Sequence, residues 1–106
     1  MNTAIGYVRS NYEELNTSVA EQEKIIRNYA EENGDKILEV FVDKGKSRKT
    51  FSRKGLQAML KYIEINFLKV KLLIVSDITM LSRNTDEFKS IKDFLKSKGV
   101  KLISLS

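Results

Sequence analysis

The chain contains no cysteine, histidine, proline or tryptophan, and only five glycines among its 106 residues. Without cysteine there is no disulfide framework, a composition compatible with a reducing compartment, and we expect a cytoplasmic protein. Losing both cysteine and histidine removes the usual zinc ligands and the commonest general base. No metal site is therefore expected, and any catalysis falls to Ser, Thr, Tyr, Lys, Arg, Asp or Glu. No apolar run approaches the length that spans a bilayer, and no basic-then-apolar leader opens the chain, so no membrane partner is expected. Glycine-rich phosphate loops are missing too. Gly45-Lys46-Ser47 looks like the end of a P-loop, but the glycine required earlier falls at Val40. No G-x-G-x-x-G follows the first apolar run, which weakens a dinucleotide-binding reading.

What is present fits one globular domain over residues 1–106 with a single core: 42% hydrophobic and 31% charged residues. The formal charge of +5 suggests a polyanionic partner, and its distribution says more than its total. Between Asp43 and Lys54 stand six basic residues, Lys44, Lys46, Arg48, Lys49, Arg53 and Lys54, against the single acid Asp43. Clustering of this kind favours phosphate contact.

Ala4-Ile5-Gly6-Tyr7-Val8 is too short for a stable helix and reads as a buried strand, ending at the polar pair Arg9-Ser10. Ser18 to Glu21 fits a capping box. After it Val19, Gln22, Ile25, Ile26, Tyr29 and Ala30 recur at helical spacing, and Asn33-Gly34 supplies a left-handed stop. Ile37 to Val42 is a second strand. Asp43 to Phe51 has no apolar period and is expected to be a mobile loop. Ser52 can cap a second helix, in which Leu56, Met59, Leu60, Ile63 and Phe67 share a face. Val70 to Val75 is a third strand, and Ser76 to Asn84 a loop. Thr85 is expected to cap a third helix, with the acids Asp86 and Glu87 in its first turn and Phe88, Ile91, Phe94 and Leu95 buried, and Gly99 to end it. Val100 to Leu105 is a fourth strand, and a chain ending there suggests a fragment of a longer protein.

The βαβαβαβ order predicts a three-layer α/β fold, a mainly parallel sheet of at least four strands with helices on both faces. Ligands of such sheets sit outside the carboxyl ends of the strands. That rule gathers Arg9 and Ser10, the basic loop to Arg53, and Asp77 to Arg83 along one edge. Arg9, Arg53 and Arg83 can then converge, and guanidinium groups suit phosphate oxygens. Each alone would pass for an ordinary surface arginine. A phosphoacceptor receiver domain would need acids after the first strand, where this chain has Arg9-Ser10.

With these pieces in place, the chain resembles the amino-terminal catalytic domain of the serine recombinases (resolvases, invertases and large serine integrases) from end to end. The matching residues are Ile5-Gly6-Tyr7-Val8-Arg9, Ser18-Val19-Ala20-Glu21-Gln22, Val42-Asp43-Lys44-Gly45 with Ser47, Ser52-Arg53-Lys54-Gly55-Leu56-Gln57, and Leu81-Ser82-Arg83-Asn84. The resemblance implies a resolvase-like fold and a metal-free, cofactor-free reaction on DNA. A serine hydroxyl attacks a phosphodiester, forms a 5′-phosphoserine link and frees a 3′ hydroxyl that later reverses the step. It implies phosphate-clamping roles for Arg9, Arg53 and Arg83, supporting roles for Gln22 and Asp43, and a homo-oligomer, dimer or tetramer, in the full-length protein. Lys44, Lys46, Arg48 and Lys49 are the expected DNA-binding residues.

Departures from the family pattern qualify the activity. The family nucleophile stands two residues after the first arginine, where this chain has Asn11, and Ser10 lies one residue too early. One step along an extended strand reverses a side chain, so Ser10 requires a bulge or loop to reach the phosphate. Thr79 and Met80 replace an aspartate and an arginine, and Asp77 and Ser52 differ from a lysine and an aspartate. Losing one charge-stabilising donor costs roughly 10²–10³ in rate elsewhere, so impaired activity is expected. Three functions follow for comparison: a recombinase domain cutting through Ser10, a silent recombinase-like DNA-binding or regulatory module, and an unrelated phosphate-binding α/β protein. The arginine trio and the extended match disfavour the third.

Overall fold

The computed structural model describes residues 2–10, 19–44 and 53–106. Strands β1 (Thr3–Ser10), β2 (Lys36–Lys44), β3 (Leu72–Val75) and β4 (Lys101–Ser104) form one parallel sheet in the order β2-β1-β3-β4. Helices α1 (Val19–Glu32), α2 (Lys54–Asn66) and α3 (Thr85–Ser97) connect them. This is the expected three-layer α/β architecture. From β1 the chain steps outward to β2, then returns past β1 to β3 and continues to β4. Parallel crossovers are right-handed, so this reversal sends α1 to one face and α2 and α3 to the other. The point of reversal, between β1 and β3, is where such sheets open a crevice at the carboxyl ends.

Two cores follow from the alternation of β1. Ile5 and Tyr7 pack with Leu56, Met59, Ile63, Leu73, Leu81, Ile91 and Leu95 on the α2 and α3 side. Ala4 and Val8 pack with Ile26, Ala30, Leu72 and Ile74 on the α1 side. Gly6 belongs to that second face, since a methyl group there would stand 3.1 Å from Ile26. The first helix stops at Gly34, whose φ of 70° only glycine adopts without strain, as the Asn33-Gly34 pair predicts.

Several boundaries differ from expectation, each for a local reason. Arg9 and Ser10 do not follow β1 but belong to it, because pairing continues through Arg9 with Asp43 and Ser10 with Lys44. Asp43 and Lys44 are accordingly strand residues rather than the start of a loop. The third helix is capped by Asn84, not Thr85: Asn84 is extended and its side chain accepts the Glu87 amide, while Thr85 is already helical. Ser76 to Asn84 includes a short 3₁₀ turn, Ile78–Met80, closed by the Asp77 carboxylate accepting the Thr79 amide and hydroxyl at 2.9 Å each. Phe67 lies just past the end of α2 and is 42% exposed instead of buried. Ser18, Ser52, Asn11 and most of the basic loop lie outside the described residues. No helix among the described residues is long and apolar enough to cross a membrane.

Candidate functional site

The carboxyl rim of the sheet is organised by a buried acid. Asp43, 4% exposed at the end of β2, accepts the Tyr7 hydroxyl at 2.5 Å and the backbone amides of Gly55 and Leu56 at 2.7 and 2.9 Å. Those amides are among the first of α2, whose own N-cap, Arg53, makes no side-chain cap. Asp43 therefore does for α2 what a local Ser or Asp normally does, satisfying donors that the helix leaves open and placing negative charge at its positive end. Close approach is possible only because residue 55 is glycine: a Cβ there would lie 2.5 Å from the Val42 carbonyl oxygen. Burial, and then the bond to Asp43, raise the Tyr7 phenol above its ordinary value, so it stays a neutral donor.

Anchoring α2 in this way fixes Arg53 at its entrance. The Arg53 Nη2 donates to the Leu81 carbonyl and, at 3.4 Å, to that of Met80, while Nη1 meets Glu87 of α3 at 2.5 Å. Arg9 extends from β1 on the same side, two residues after Tyr7. Burial, then the charge of Arg53 and more weakly that of Arg83, lower its guanidinium from the ordinary value. It nevertheless remains a cation. Three cations within electrostatic reach repel one another, and an anion among them relieves that cost. Arg83 is exposed at the turn before α3.

Gln22 secures the other side of Arg9. Buried on α1, its side chain accepts the Arg9 amide at 3.2 Å and donates to the Arg9 carbonyl at 2.8 Å. Regular pairing of β3 with β1 ends at Gly6, and Gln22 meets the Arg9 peptide as a neighbouring strand would. Arg9, Arg53, Arg83, Gln22 and Asp43 thus gather at one rim.

Ser10 is placed differently. The only irregularity in the β1–β2 pairing lies between Ala4 and Ile5, far from the strand end, so Ser10 keeps the parity of Ala4, Gly6 and Val8 on the α1 side. Arg9 keeps that of Ile5 and Tyr7. Ser82, a further hydroxyl among the described residues, is committed to the turn before α3, donating to the Asn84 carbonyl at 3.1 Å and accepting its amide at 3.0 Å. Met80 packs against the α2 and α3 core, and Thr79 is exposed. Lys44 is exposed beside Ser10; Lys46, Arg48 and Lys49 lie outside the described residues. Sequence reasoning missed Glu87 as a member of this rim, reading it only as an acid suited to a helix start.

Fold and rim together define a doubly wound α/β domain with Arg9, Arg53 and Arg83 at the carboxyl edge of its sheet. Residues 4–106 match the family described as "Resolvase, N terminal domain", and the chain belongs to that family, the resolvase-type serine recombinases. It is similar in structure to the C-terminal catalytic domain of ISC1926 TnpA, an IS607-like serine recombinase, with 26% identity, 98% of this chain and 67% of that one covered, and a TM-score of 0.82. The N-terminal catalytic domain of TP901-1 integrase gives 25% identity, 98% and 77% coverage and a TM-score of 0.81. A resolvase family site-specific recombinase from Streptococcus pneumoniae shares the fold at 22% identity, 99% and 72% coverage and a TM-score of 0.84. Comparison with curated protein sequences gives no match.

Proposed function

We propose that this recombinase-type domain seats a DNA phosphodiester on Arg9, Arg53 and Arg83 and, with β1 in its regular register, holds the DNA without cutting it. The observation that carries the reading is the chain of contacts along the rim: Arg9 pairs with Asp43, Asp43 caps the helix that Arg53 opens, and Arg53 donates to the Leu81 carbonyl two residues before Arg83, which supports one shared anion site for three residues far apart in sequence. Gln22 and Asp43 act as positioning residues, through the Arg9 backbone and the start of α2. Lys44, Lys46, Arg48 and Lys49 extend the contact along the DNA backbone. Work on DNA in the cytoplasm, as a homo-oligomer, belongs to the same reading.

Strand cleavage through Ser10 is the second reading. It is favoured by the position of Ser10 as the last residue of β1, where turning its hydroxyl toward Arg9 disturbs one pairing, that with Lys44. Attack of that hydroxyl on phosphorus would form the phosphoserine ester and release the 3′ hydroxyl. Fluorescence anisotropy of a labelled duplex across a salt series tests the first reading. Replacing Arg83 by Gln should reduce the slope of log K against log salt by about one. Unchanged slopes for Gln at positions 9, 53 and 83 would remove the arginine site. A covalent protein–DNA adduct that disappears in Ser10→Ala would establish the second reading instead.

A further inference from the structure

Arg53 already has an anionic partner within the protein, and that partner sits where DNA would have to bind. Its Nη2 donates to the backbone carbonyl of Leu81 and, at 3.4 Å, to that of Met80. Its Nε is buried and has no hydrogen-bond partner among the described residues. Nη1 is the remaining donor, and the Glu87 carboxylate takes it at 2.5 Å. The arginine side chain is 18% exposed and the glutamate 49%, so the acid lies on the solvent side of the cation. The Glu87 backbone is fixed in the first turn of α3 by the Asn84 cap, and its carboxylate reaches Arg53 from there. Half-exposed and paired with a guanidinium, its carboxyl is an anion at neutral pH.

We propose that Glu87 is an internal stand-in for phosphate, a carboxylate that occupies Arg53 in the free domain and must be displaced when a phosphodiester enters. This rests on the arginine-site reading above. The acid sets how strongly DNA must compete, and so tunes affinity and selects ligands carrying several phosphates over a single small anion.

The test is anisotropy of a short fluorescein-labelled DNA duplex with the whole chain at low salt. Glu87→Gln keeps the shape and removes the charge, and it should tighten binding about three- to fivefold, the worth of a half-exposed ion pair. The gain should vanish when the same change is made in an Arg53→Gln background. Asp86→Asn removes an equal charge from the exposed neighbouring position and should give a much smaller gain. Equal gains from Asp86→Asn and Glu87→Gln would overturn the proposal, as would unchanged or weakened binding by Glu87→Gln. If Glu87→Gln fails to fold by circular dichroism, Glu87→Ala carries the same expectation and the same contrary result. Dependence of the unsubstituted chain on Arg83 reports separately on the arginine site. Its loss would sink that reading, whereas its persistence without a Glu87 effect would sink only the stand-in role of Glu87.

Discussion

Toward α2 and α3, β1 presents Ile5, Tyr7 and then Arg9; toward α1 it presents Ala4, Gly6, Val8 and then Ser10. The first series runs from hydrocarbon into a hydrogen-bonded polar interior, where Tyr7, Asp43 and Arg53 meet the backbone of α2 and of the turn before α3. The second runs from hydrocarbon to a strand end, with Gln22 holding the Arg9 peptide in place. A single residue step therefore separates the cationic site from the hydroxyl beside it. Chemistry in this fold depends on which face of β1 a residue joins, and the pairing of β1 with β2 makes that choice.

The largest effect that can sharpen this contrast comes from Asp43. Asp43→Ala leaves the Tyr7 hydroxyl and the amides of Gly55 and Leu56 without their acceptor in a buried place. We expect a loss of about 4 kcal/mol in urea unfolding, since each unsatisfied buried group costs about 1–3 kcal/mol. On the opposite face, Gln22→Ala removes two bonds to the backbone of one residue at a part-buried strand end and should cost about 2 kcal/mol. Equal losses at the two positions would break the distinction between a polar interior on one side and a single backbone clasp on the other.

A smaller effect concerns protons. The folded Tyr7 phenol is raised above its ordinary value of 10.0, so the folded state keeps that proton longer than the unfolded chain does. The resulting stability is fully present below pH 10 and is lost as pH rises through the folded value. In a spectrophotometric titration of the four tyrosines, one should remain protonated above pH 10 until the protein unfolds, and Tyr7→Phe should abolish the lagging signal. A lag that survives Tyr7→Phe would move the buried phenol elsewhere.

Much of this was legible in the chain itself. Short apolar runs alternating with amphipathic stripes give four strands and three helices, and the carboxyl-end rule groups Arg9, Arg53 and Arg83. What stayed hidden depends on contacts distant in sequence. Nothing local marks Asp43 as the cap of a helix that begins beyond Arg53, because the cap reaches across from another strand. Glu87 carries an ordinary helix-start signal that conceals its pairing with Arg53 34 residues away. Asn84 and Thr85 are both good caps, and only the backbone angles distinguish them. The last two residues of β1 and of β2 look like loop in the sequence because they are polar, although here they are paired.

The face of β1 that each terminal residue joins can be measured directly by nuclear Overhauser contacts in an isotope-labelled sample. The Arg9 side chain should show contacts to Tyr7 and the Arg53–Glu87 pair, and the Ser10 β-protons should show them to α1. Contacts from Ser10 to Tyr7 or Arg53, with Arg9 turned toward α1, would contradict the account.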